Sequence, residues 1–125
     1  MNSNLYGVLR QHFGDRLEAP CLLIPDGPVV HYDDLDRASA RIAHALVAAG
    51  CVTGDRVAAQ VDKCWEALAL YLACLRAGLV FLPLNTGYQR SELSYFFADA
   101  TPRVIVCRPE SVEMVQALAA EARVF

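Results

Sequence analysis

The side chains that could carry chemistry in this chain are few and scattered. His12, His31 and His44 lie far apart, with no HxxxH or HxxEH spacing to bring two imidazoles onto one helix face. Each is expected to be a solvated or hydrogen-bonded histidine. Cys21, Cys51, Cys64, Cys74 and Cys107 are odd in number and irregular in spacing, and no CxxC occurs. Most of them sit in apolar runs such as Leu72–Leu75 and Val104–Cys107, which predicts buried, reduced thiols and a reducing compartment. The seven glycines are dispersed, so neither GxxxxGK[ST] nor GxGxxG is present to cradle a phosphate. A GxSxG nucleophile elbow is missing too.

Three remaining features have a chemical and a structural reading. Asp33 and Asp34 are adjacent carboxylates that could hold Mg²⁺ as in a receiver-like phospho-acceptor; capping the helix that follows is the preferred role. Lys63, the single lysine, stands just before a helix rather than after a late strand. Trp65 could be a ligand platform, but fits better as a core anchor opening a buried helix. No catalytic residue and no metal ligand is assigned.

The elements that would position these groups follow from hydrophobic periodicity. Leu5, Leu9 and Phe13 share one face of a short helix ending near Gly14. Two apolar runs, Cys21–Ile24 and Val29–Tyr32, flank a Pro-Asp-Gly turn and predict an antiparallel hairpin. Leu35, Ala38, Ile42, Leu46 and Ala49 form the stripe of a long helix that Gly50 ends, with Asp33 and Arg37 spaced for an i,i+4 ion pair. From there strand and helix alternate, with strands near Val57–Val61, Val80–Leu84, Val104–Cys107 and Arg123–Phe125. Helices over Cys64–Ala77, Ser91–Ala100 and from Pro109 onward lie between them. One helix per interval is the rhythm of βαβ units. Strands that are continuously apolar predict a sheet covered on both faces. The fold class is therefore α/β: a mostly parallel βαβ sheet with helices on both faces, plus an N-terminal β-hairpin.

Composition narrows the function classes. With 125 residues, 55% of them hydrophobic, the chain can bury a core and is not a disordered or low-complexity sequence. A net charge of -3 argues against nucleic acid or an anionic membrane as partner. Residues 67–84 are apolar and long enough to span a bilayer, but Arg76, Gly78 and Pro83 interrupt them, and a helix, a glycine cap and a strand explain the same letters. No secretory signal is visible, and the expected location is cytoplasmic. The helix over Cys64–Ala77 is apolar nearly all round and needs cover on several sides. The last helix leads straight into Val124–Phe125. Both features predict a partial domain of a larger enzyme, with self-association possible through uncovered apolar surface.

Stretches along the chain, in order, resemble one family. Val29-Val30-His31-Tyr32-Asp33-Asp34-Leu35 is similar to the Thr/Ser-Tyr-x-Glu/Asp-Leu opening motif of adenylate-forming enzymes, the AMP-dependent synthetases and ligases, with His31 in place of Thr or Ser. Gly50–Val57 resembles their G-V-x-x-G-D-x-V turn and strand, with Cys51 inserted after the glycine. Leu75–Asn85 resembles their L-x-A-G-x-x-x-x-P-L-N segment. Glu92-Leu93 and Asp99-Ala100-Thr101-Pro102 follow in the expected order. Within this group, the residues over 66–78 and 82–88 look most like bacterial malonyl-CoA synthetases.

The resemblance implies that residues 1–125 form the N-terminal part of the large domain of an acid–CoA ligase, without an internal boundary. Such an enzyme activates a small carboxylic acid with Mg-ATP to an acyl-adenylate and passes the acyl group to CoA. ATP, Mg²⁺ and CoA are thus implied for the parent enzyme, with none expected on this chain alone, and the remainder of its own polypeptide is the implied partner. Malonate is the favoured acid. The phosphate loop ending Pro-Lys, the Mg²⁺ glutamate, the ribose aspartate and the catalytic lysine would all lie after Phe125. In some relatives an Arg two residues after the Pro-Leu-Asn asparagine holds CoA phosphates. Gly87 stands there, and Arg90 is the candidate substitute. The alternative is a stand-alone α/β module that binds a nucleotide or a protein and has no activity.

Overall fold

Helix and strand alternate as the apolar runs dictate. The computed structural model describes residues 5–13, 20–23, 29–62 and 64–125. The elements are α1 (Leu5–Phe13), β1 (Pro20–Leu23), β2 (Val29–His31), α2 (Tyr32–Ala48), β3 (Arg56–Gln60), α3 (Trp65–Ala77), β4 (Val80–Pro83), α4 (Arg90–Ala100), β5 (Val104–Cys107), α5 (Val112–Leu118) and β6 (Arg123–Val124). The Pro-Asp-Gly turn, the helix end near Gly14 and Lys63 lie outside the described residues.

β1 and β2 pair antiparallel, Leu23 opposite Val29, with an irregularity between Pro20 and Leu22. The other four strands form a parallel sheet in the order β4-β3-β5-β6. Ala58 sits opposite Leu82 on one side and Ile105 on the other. From β3 the chain steps outward to β4, then reverses across β3 to β5 and on to β6. With a constant right-handed crossover, such a reversal sends successive helices to opposite faces of the sheet. α3 accordingly packs with α2 on Val57, Ala59 and Val104. Leu93 and Phe97 of α4 and Val115 of α5 pack on Ala58, Ile105 and Cys107. Both faces of the central strands β3 and β5 are covered, which is why these two read as unbroken apolar runs.

α3 joins two cores. Leu70, Ala73 and Cys74 face the sheet, while Ala69 and Leu72 face Tyr6, Val30, Leu35 and Ala38. Only Glu66 and Tyr71 of this helix are exposed. The sequence predicts that a helix so apolar would lack cover in a chain this short. The structure corrects that in part: α1, α2 and the sheet cover most of it from within the chain. The stretch over 67–84 resolves into α3, Gly78 in the left-handed region (φ 71) and β4. Among the described residues no helix is long and apolar enough to cross a membrane.

Local details depart from the sequence reading in three places. The N-cap of α2 is His31, two residues before Asp33 and three before Asp34. Asp34 is instead the third helical residue, and its carboxylate reaches back to accept from the His31 backbone N–H at 2.8 Å. The segment from Pro109 begins as a 3₁₀ turn over Pro109–Ser111 before α5. Cys64 is exposed, whereas Cys51, Cys74 and Cys107 are buried as expected, and all four are unpaired thiols.

A further junction ties α1 to the body. Asp36 Oδ1 accepts from Tyr6 Oη at 2.5 Å, Arg10 Nε at 3.0 Å and Arg76 Nη1 at 3.0 Å. The Arg76 guanidinium also lies over the Tyr6 ring, 4.4 Å from its centroid. Arg76, the one cation in α3, is therefore the link between three helices.

Candidate functional site

In open α/β sheets, ligands sit outside the carboxyl ends of the strands, where the chain leaves to opposite faces. Here that place is the end of β3, flanked by the ends of β4 and β5. Gln60 closes β3 and is only 3% exposed. Its position follows from the sheet register, which sets it opposite Cys107. Its Nε2 donates to the carbonyls of Asn85 at 3.0 Å and Tyr88 at 3.1 Å. Both belong to the loop from Leu84 to Gln89 that joins β4 to α4.

That loop is organised residue by residue. The Leu84 N–H continues the ladder by donating to Ala59 O at 2.8 Å. The Asn85 side chain accepts from the Gly87 N–H at 2.7 Å, and the Asn85 carbonyl accepts from the Tyr88 N–H at 3.1 Å. The Tyr88 ring stacks on Phe96 of α4 with centroids 5.1 Å apart. Gln89 caps α4, and its N–H donates to Glu92 Oε2 at 3.0 Å. Backbone N–H groups of Glu92 itself and Gln89 hold the Glu92 carboxyl below its usual range. From just past β5, Arg108 Nη2 donates to Thr86 O at 3.4 Å. Arg108 Nε is buried without a hydrogen bond; the Glu110 carboxylate lies 3.8 Å away, an ion pair too long to be one.

The two sequence-predicted site residues meet here. Gly87 is exposed at the tip of the loop, and Arg90 is exposed as the first residue of α4. No hydrogen bond or ion pair engages the Arg90 side chain among the described residues, so its guanidinium faces solvent. The loop offers an outward cation on a backbone held from below, which suits an anionic group carried by a larger molecule.

The other candidates disperse. Asp33 pairs with Arg37 at 3.2 Å, the expected i,i+4 contact, and Asp34 with His31 and Arg37. Trp65 packs beside the cluster of Tyr6, Leu35 and Leu72, a core role. Among the described residues no three His, Cys, Asp or Glu side chains converge as a metal-holding group. The residues here thus do not fit Mg²⁺, and no run of glycine amides fits a triphosphate. A cavity of about 450 Å³ lined by Asp55, Ser94, Thr101, Arg103 and Glu121 opens at the amino end of the sheet, away from the ligand end. An apolar groove of about 340 Å³ beside α2 and α3 is lined by Ile42, Val61, Cys64, Ala67, Val106 and Phe125.

Gln60, Arg108 and the Asp36–Arg76 junction escaped the sequence reading. The signal for Gln60 was a polar residue ending the run Val57-Ala58-Ala59 inside a strand buried on both faces. For Arg76 it was the lone cation in an apolar helix.

Comparison with known proteins places these observations. A family model described as AMP-binding enzyme matches residues 11–124. A feruloyl-CoA synthase of Amycolatopsis sp. is 42% identical over 94 residues, covering 75% of this chain and 19% of that protein. A fatty acid–[acyl-carrier-protein] ligase, ScoC, of Streptomyces coeruleorubidus is 33% identical over 95 residues, covering 76% and 18%. Among solved structures, apo MatB from Rhodopseudomonas palustris superposes with a TM-score of 0.94 at 44% identity, covering 99% of this chain and 25% of that one. ATP-bound MatB gives a TM-score of 0.85. The chain thus spans about a fifth of the curated relatives' length and a quarter of the solved chain.

Proposed function

The chain belongs to the family of AMP-binding enzymes, and from that premise we propose that it is the N-terminal part of the large domain of an acid–CoA ligase. The whole enzyme joins a carboxylic acid to ATP, giving an acyl-adenylate and pyrophosphate. It then transfers the acyl group to the CoA thiol, releasing AMP. The observation that carries this reading is the overlap with MatB across 99% of the chain. The ATP-bound form of that neighbour supports ATP as the co-substrate. Malonate is the proposed acid, on the likeness of residues 66–88 to malonyl-CoA synthetases; the curated relatives carry the names of other acyl groups. The unpaired thiols support a cytoplasmic location.

On this reading the chain is a scaffold with one binding surface. Its sheet buttresses the substrate half of the domain. The loop with Gly87 and Arg90 faces the phosphorylated end of CoA. ATP, Mg²⁺ and the reacting carboxylate are held by residues elsewhere in the polypeptide, which is this chain's partner. The 125 residues alone form no acyl-adenylate.

The test begins with the gene. The reading frame after the Phe125 codon is expected to encode a Ser/Thr-Gly-rich loop ending Pro-Lys. The longer product is expected to catalyse malonate-dependent ATP–pyrophosphate exchange. Exchange driven by a different acid would overturn malonate alone. Acyl-adenylate formed by the 125-residue chain would overturn its scaffold role.

A further inference from the structure

The loop between β4 and α4 has no regular secondary structure, yet one side chain from β3 and one from just past β5 hold three of its carbonyls. Gln60 of β3 holds those of Asn85 and Tyr88, and Arg108, just past β5, holds that of Thr86. Gln60 is the unusual member. Its neighbours Val57, Ala58 and Ala59 are fully apolar and it is as buried as they are. A carboxamide in such a place is costly unless its polar atoms are partnered. An amide nitrogen carries two hydrogens, and the loop's two carbonyls take one each. The Tyr88 carbonyl it holds adjoins Gln89, the N-cap of α4, so the grip also fixes where Arg90 begins the helix.

We infer that Gln60 is a positioning residue for the CoA-facing surface: it shapes the loop over 85–89 from beneath and thereby fixes where Gly87 and Arg90 stand. The inference rests on the reading of that loop as the site for the phosphorylated acceptor. Gln60 itself touches no substrate; it acts through two backbone carbonyls. Acceptor binding depends on it, while adenylate formation does not.

The test is Gln60→Met, which keeps the length and removes both donors. In the 125-residue chain, amide hydrogen exchange is read at Gly87, Tyr88 and Gln89, whose N–H groups are all bonded within the loop or to Glu92. Exchange there is expected to quicken about tenfold or more, with the β3–β5 ladder unchanged. In the longer polypeptide, KM for CoA is expected to rise roughly tenfold, with acid-dependent ATP–pyrophosphate exchange within about twofold. Unchanged loop exchange overturns the inference. Equal loss of both half-reactions, together with a lowered unfolding midpoint, also overturns it, since Gln60 would then be a core residue only. Faster loop exchange with unchanged KM for CoA keeps the latch and overturns the CoA-facing reading instead. If the variant does not fold, the unmodified chain decides: Gly87 and Tyr88 must exchange within about tenfold of the β4 amides, and free-peptide rates there overturn the latch.

Discussion

Arg90 and Cys64 are two exposed side chains with chemistry to offer among the described residues. Arg90 stands at the first position of α4 with a solvated guanidinium. If it meets a phosphate, Arg90→Ala in the longer polypeptide raises KM for CoA about tenfold or more, the value of one charge-assisted contact. Steady-state kinetics at fixed acid and ATP measure this; an unchanged KM removes Arg90 from the acceptor site. Cys64 is an exposed thiol at the N-cap of α3. Burial pushes the Cys74 thiol up to about 12, and also raises Cys51 and Cys107. A maleimide at about pH 8 is therefore expected to label Cys64 before those three, which react only on unfolding. Peptide mapping by mass spectrometry reads the order.

At the scale of elements, one carboxylate ties α1 to α2 and α3 alongside the packing of Tyr6. Burial alone would raise the pKa of Asp36; hydrogen bonds from Tyr6 and Arg76 and the charge of Arg10 outweigh it, so the carboxyl lies below its usual value. Burial and the hydrogen bond to Asp36 raise the Tyr6 phenol above 10.0. A depressed carboxylate gives stability that is complete above its unfolded pKa, about 3.9, and fades as pH falls through the lower folded value. A raised phenol gives stability that is complete below its unfolded value and fades as pH rises through the higher folded one. Between about pH 4 and 10 the junction is thus constant. Asp36→Asn is expected to cost about 1–2 kcal/mol at pH 7. Urea unfolding should show the gap between variant and parent narrowing below about pH 4. A gap independent of pH would show that the carboxylate's charge is not what holds α1.

The whole molecule was the most legible scale. Apolar strands at helix-length intervals suffice to suggest a parallel sheet covered on both faces, and the central strands β3 and β5 are buried as that requires. The reversal of strand order was not legible, since nothing in Val80–Pro83 or Val104–Cys107 says which side of β3 each takes. The candidate loop was legible as a place, after a strand and before a helix. Its grip was not, because Gln60 meets Asn85 only once register is set. The same holds for Asp36 and Arg76, which come from different helices, and for His31, which the end of β2 makes the cap in place of the aspartates after it. Ile105 is where both sheet neighbours and the α4 layer meet, fully buried and opposite Ala58 and Val124. Ile105→Ala is expected to cost about 2–5 kcal/mol, read as a lowered midpoint in chemical denaturation. A loss under about 1 kcal/mol would mean that the two layers close over the gap.

The placing of β3 between β4 and β5 has a consequence during synthesis. As the chain emerges from a ribosome, β4 is the first partner that β3 can pair with. Its other edge, along Val57–Gln60, stays open until β5 has been made. An open apolar strand is a template for pairing with other nascent chains. The time taken to translate α4 therefore sets how long that template is exposed, and slowing the codons for Arg90–Ala100 lengthens it.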